Sequence, residues 1–92
     1  IARLQASARR TDAARELEAA KAKKDAALDA FKEQMRQAKT QREAKRQQGL
    51  SPSAQAALIK ESQFQKAELK RLRLHHDALI AQKKMALDDI DH

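Results

Sequence analysis

The chain has 92 residues, 36% of them charged, with a net charge of +7, two aromatic residues (Phe31 and Phe64), one Gly, one Pro and no Cys. The absence of Cys excludes a disulfide scaffold and thiolate zinc sites, and no apolar run approaches the roughly 20 residues needed to cross a bilayer. Ala, Gln, Lys, Arg, Glu and Leu dominate, which is the composition of long exposed helices rather than of a disordered tail rich in Pro, Gly and Ser.

In chain order, the first element is a helix over about residues 2–48, dense in helix formers and free of Gly and Pro. The only breaker chemistry is Gly49-Leu50-Ser51-Pro52. Gly suits the left-handed position just past a helix end, with Leu50 as the apolar residue that folds back. Ser51 is a good N-cap and Pro52 is preorganised for the first helical position. A turn at 49–51 therefore leads into a second helix over about residues 52–90. At 1.5 Å per residue the helices run roughly 70 and 58 Å, too long for a compact globule of this size. They pair with each other or with another chain.

Leu28, Phe31, Met35 and Ala38 follow 3-4-3 spacing, and the register extends back through Lys24, Lys21, Leu17 and Ala14. The second helix carries Leu58, Ser62, Gln65, Leu69, Leu72, His76, Leu79, Lys83, Ala86 and Ile90 in one register. A chain that reverses at 49–51 sets facing positions at numbers summing to about 100. The two registers meet that condition, Leu28 with Leu72 and Phe31 with Leu69. The expected fold is all-α, an antiparallel coiled-coil hairpin over residues 1–92 that completes a larger helical bundle or oligomer. Its intramolecular seam comprises Leu17, Leu28, Phe31, Met35, Leu69, Leu72 and Leu79. Arg9 and Arg10 come alongside Asp88, Asp89 and Asp91 in this register. Lys24 meets His76, and Arg42 and Lys45 occupy core positions, where long stems can lie along the seam and carry their charges to water. Alternatively, Lys24 and His76 form a polar layer that fixes register.

The second helix has more apolar residues than one seam consumes. Phe64, Ala67, Leu74, Ala78, Ala81 and Met85 form another row, interrupted by Arg71, with Ile59, Ile80 and Leu87 broadening the apolar surface between the two. A helix apolar on two sides sits inside a bundle, so Phe64, Leu74, Ile80, Met85 and Leu87 are the expected partner face. On the first helix Ala6, Ala13, Ala20 and Ala27 recur one heptad apart and allow close approach.

His75 and His76 project about 100° apart and cannot chelate one ion together, and no pocket is readable for acid–base or nucleophilic work. The chain is expected to be no enzyme, with no cofactor, metal or small-molecule substrate. Positive charge collects toward the turn, at Arg36, Lys39, Arg42, Lys45, Arg46 and Lys60, with Lys32 and Lys66 nearby. Such a patch is a solvated face, a dock for an acidic protein, a nonspecific nucleic-acid contact or a contact with an anionic membrane surface. No aromatic residue is interleaved for base stacking.

Gln82-Lys83-Lys84-Met85 is similar to a short stretch near the end of some stalk proteins of flagellar and type III secretion export ATPases, the FliJ and YscO group, which are antiparallel two-helix coiled coils with longer helices. That resemblance implies a rotor-like stalk inside an ATPase ring. In architecture and charge the hairpin also resembles the tRNA-binding arm of seryl-tRNA synthetase, which implies a strut gripping RNA. The residues themselves point first to a structural or adaptor module that associates with a second copy or a partner protein. A basic nucleic-acid-binding arm is the rival. Because the chain begins at Ile1 without an initiator Met, it reads as a segment of a longer protein, and its lack of Cys favours the cytoplasm.

Overall fold

The computed structural model of the chain describes residues 2–91, and nearly all of them fall in two helices, α1 (Ala2–Gln47) and α2 (Pro52–Asp91). Among the described residues there is no strand. The two helices pack against each other as an antiparallel hairpin, the architecture expected from the sequence. No helix among the described residues is long and apolar enough to cross a membrane.

The reversal is built from the four residues that the sequence singles out. Gly49 adopts φ +78°, the left-handed conformation that costs an L side chain about 1–2 kcal/mol. Its N–H donates to the Arg46 carbonyl at 3.1 Å, and the Gln48 N–H donates to the Lys45 carbonyl at 3.1 Å, so the last turn of α1 tightens and closes its own carbonyls. Lys45 and Arg46 lie in that turn, where cations favour the negative end of the helix dipole. Ser51 then caps α2. Its Oγ accepts from the Ala54 N–H at 3.3 Å, while its carbonyl accepts the first intrahelical bond from the Gln55 N–H at 3.0 Å. The Gln55 side chain donates back to the Leu50 carbonyl at 3.2 Å, and Leu50 is half-buried.

The contacts divide the chain into two units, one spanning Ala27–Leu72 (the turn unit) and one made of Ile1–Ala26 with Arg73–His92 (the terminal unit). In the turn unit, the buried and half-buried positions of α1 include Leu28, Phe31, Met35, Ala38 and Arg42, an unbroken 3-4-3-4 pattern. Those of α2 include Ala54, Leu58, Ser62, Gln65, Leu69 and Leu72. Numbers that sum to 100 pair Leu28 with Leu72, Phe31 with Leu69 and Arg42 with Leu58 across this seam. Leu28 and Leu58 are buried, and each such leucine, if wholly removed from water, would contribute about 1.5–3 kcal/mol. No described side chain is fully buried, so the seam is narrow.

The terminal unit packs differently. Leu17 is buried and Ala14, Lys21 and Lys24 are half-buried, as the α1 heptad requires, but Ala13 and Ala20 are half-buried as well. On α2 the half-buried positions are His76, Ile80, Lys83 and Leu87. This corrects the expected register. Leu79 was assigned to the seam, yet it remains 36% exposed, and Ala86 and Ile90 are also exposed. Ile80 and Leu87, assigned to the partner face, are turned inward. Leu79 lies on one flank of the seam, in a shallow hollow with Glu16, Ala19, Ala20 and Lys23, where small and charged residues of α1 leave it partly in water. The expected register would instead have set Leu79 against the stem of Lys21.

Three ion pairs fasten the helices of this unit. Arg10 Nε lies 3.0 Å from Asp91, Lys83 Nζ lies 3.0 Å from Glu16, and Lys24 pairs with Asp77. Lys24 thus answers a carboxylate beside His76 rather than forming a polar layer with the imidazole. The rings of His75 and His76 meet edge to face, centroids 5.4 Å apart.

Candidate interaction surfaces

Two kinds of surface are left after the seam is formed, one apolar and one cationic. The apolar residues lie on α2. In the terminal unit Leu74 is 60% and Met85 66% exposed, with Ala78 and Ala81 exposed between them. The 4-3-4 spacing places all four on one side of the helix over three turns. In the turn unit Phe64 is 63% exposed, and Ile59 is also exposed. Of the residues assigned to a partner face, Phe64, Leu74 and Met85 are exposed, whereas Ile80 and Leu87 are half-buried.

The sequence carries only part of the signal for that correction, since Ile80 and Leu87 recur one heptad apart on α2. Apolar counting on α2 alone cannot find it, because Leu79 and Ile80 score equally well.

The cationic surface belongs to the turn unit. It is an open groove of about 490 Å³ with Met35 and Leu69 as its apolar floor. Of the expected basic tip, Arg36, Lys39, Arg42 and Arg46 line it, joined by Lys32 and Lys66. Lys45 and Lys60 are exposed and do not line it. One carboxylate, Glu43, reaches the groove.

These cations are not equivalent. Arg42 is 8% exposed, and its Nη1 donates to Gln65 Oε1 at 2.9 Å and to Glu61 Oε1 at 3.4 Å. It is a seam residue whose charge is answered within the hairpin, since a buried guanidinium without partners would be strongly disfavoured. Lys45, by contrast, leaves the seam where α1 ends. Arg36 donates to Glu33 from Nε at 2.9 Å. That hydrogen bond, with the attraction between the charges, holds the Glu33 carboxyl below its usual range and raises the Arg36 guanidinium. Among the described residues, none of Lys32, Lys39, Arg46 and Lys66 lies in an ion pair.

Charge is unequal between the units. The turn unit holds ten basic and five acidic residues, a net +5, and the terminal unit ten basic and eight acidic, a net +2. Among the described residues, no three His, Asp or Glu side chains converge as a metal site would require.

Comparison of the chain with protein-family models, curated proteins and solved structures returns no significant match. The likeness to the export-ATPase stalk proteins rests on Gln82–Met85 alone.

Proposed function

We propose that the chain is a non-catalytic structural module, a coiled-coil hairpin that associates with a second copy of itself through the back of α2. The supporting observation is the exposed row Leu74, Ala78, Ala81 and Met85, which remains uncovered after Ile80 and Leu87 have been spent on the seam. Single exposed apolar residues are ordinary. A row at helical spacing, with two large residues flanking two small ones, is a packing surface.

Its order also suits a second copy. When two such helices cross antiparallel about a twofold axis, Leu74 of one meets Met85 of the other and alanine meets alanine. A closed dimer requires this kind of self-complementary patch. Such a contact is small and makes a micromolar rather than a permanent interface. A cysteine-free module of this kind suits a reducing compartment, and we place it in the cytoplasm.

Sedimentation equilibrium tests this reading. The chain is expected to pass from monomer to dimer through the micromolar range. Leu74→Asp combined with Met85→Asp should keep the helical circular dichroism and remain monomeric. A folded chain that stays monomeric up to millimolar concentration defeats the proposal.

A further inference from the structure

The groove of the turn unit poses a separate problem. In paired helices the positions flanking the apolar seam ordinarily carry opposite charges on the two helices, which attract across it. The terminal unit follows that pattern with Arg10–Asp91, Lys24–Asp77 and Lys83–Glu16. One flank of the turn unit breaks it: Lys32, Lys39 and Arg46 of α1 line the same groove as Lys66 of α2. The carboxylates of α2 do not relieve this, because Glu61 pairs with Arg42 and Glu68 with Arg71, and Glu43 of α1 is a single carboxylate among Lys32, Lys39, Arg46 and Lys66. The hairpin therefore holds like charges together along one side of its own seam, above an apolar floor that it leaves open.

We infer that this groove docks an acidic amphipathic helix from a partner protein. Lys32, Lys39 and Arg46 recur once per heptad, about 10.5 Å apart along α1. A helix lying along the groove with a Glu or Asp once per heptad meets each of them in turn. Its apolar face covers Met35 and Leu69, which completes a third strand of packing where two helices leave the core narrow. A nucleic-acid backbone would satisfy the cations and leave the exposed part of those two half-buried side chains in water. It would also find no aromatic ring lining the groove on which to stack a base. The floor therefore decides for protein. This surface is distinct from the α2 row, and the inference does not depend on self-association.

The test uses the full chain and three fluorescent probes at about 0.15 M salt. One is a synthetic four-heptad helix with Leu and Ala at its core positions and Glu at one flanking position per heptad. A second is the same peptide with Gln for Glu, and the third is a short single-stranded RNA. The acidic peptide is expected to bind in the micromolar range and the Gln peptide about tenfold or more weakly, because rim charges select the partner.

The double substitution Lys32→Glu with Lys39→Glu should abolish binding of the acidic peptide and restore it to a peptide carrying Lys at the same positions. Lys39→Gln, which removes charge without reversing it, gives an intermediate loss and guards against a folding artefact. Leu74→Asp with Met85→Asp should leave peptide binding unchanged. Equal binding of the Glu and Gln peptides overturns the inference, as does no binding at millimolar peptide. RNA that binds more tightly than the acidic peptide, and loses affinity in the same Lys variants, reassigns the groove to phosphate.

Discussion

The turn unit and the terminal unit solve one problem, holding two helices together, with different chemistry. The turn unit relies on apolar layers. Leu28, Leu58 and the half-buried Phe31, Met35, Leu69 and Leu72 form its seam, and a capped turn closes it. Its charges, a net +5, work against it. The terminal unit has fewer large apolar residues in its seam and draws its helices together with alanines and cross-helix ion pairs. Exposed pairs are worth only about 0.2–1 kcal/mol each, and a buried leucine is worth more. The difference teaches that density of charge contacts and strength of association are separate properties: the better bridged unit is expected to be the weaker one.

The largest effect that can break this contrast comes from truncating one leucine in each unit. Leu28→Ala should cost about 2–3 kcal/mol, the low end for a leucine because the seam is narrow and half-open. Thermal unfolding followed by circular dichroism reports that loss as a drop in the main transition. Leu17→Ala is expected to act locally, speeding amide exchange in residues 3–26 and 73–91 while the turn unit keeps its protection. Equal acceleration in both units after Leu17→Ala would show that they open as one, and the contrast would fail.

The same contrast explains how far the sequence could be read. Between Leu28 and Leu72 one register collects Leu28, Phe31 and Met35 on α1 and Leu58, Leu69 and Leu72 on α2, with Ile59 and Phe64 left outside it, and the Gly49-Leu50-Ser51-Pro52 bend marks the reversal. In the terminal unit α2 offers two adjacent apolar choices, Leu79 and Ile80. Helical periodicity on α2 alone cannot rank them, and Leu79 ends on the flank beside Ala20 and Lys23 while Ile80 is half-buried. Arg42 looks in sequence like one member of a cationic run, and only its contacts with Gln65 and Glu61 separate it from its exposed neighbours. Lys32 and Lys66 were visible as charges. Their sharing of a groove depends on which flank each helix presents, and a list of cations does not carry that information.

A middle-sized effect tests the turn unit's own closure. Gly49→Ala meets no atom within 4 Å of the added Cβ, so any cost comes from the backbone at φ +78° and not from a clash. Destabilisation of about 1 kcal/mol is expected, measured as a shift in the urea midpoint without a change in slope. No shift would mean that the turn relaxes freely to another conformation, and the sealed bend would then contribute little to the turn unit's advantage.

The smallest effect is the sharpest, because it should carry opposite signs in the two units. Raising sodium chloride from about 0.01 to 1 M shortens the Debye length from about 30 to 3 Å. In the terminal unit this weakens Arg10–Asp91, Lys24–Asp77 and Lys83–Glu16, each at least partly exposed, and a few tenths of a kcal/mol should be lost. In the turn unit the buried Arg42 interaction is screened little, while repulsion among Lys32, Lys39, Arg46 and Lys66 is relieved, so a similar amount should be gained. Amide exchange at Leu17 and Ile80 against Leu58 and Leu69, each corrected for the salt dependence of an unstructured peptide, reads the two signs in one sample. Salt also strengthens apolar burial, but that acts on both seams in the same direction and cannot produce a divergence. If all four amides move together, the ion pairs of one unit and the excess positive charge in the groove of the other are energetically idle. The groove would then have no electrostatic reason to take an anionic partner.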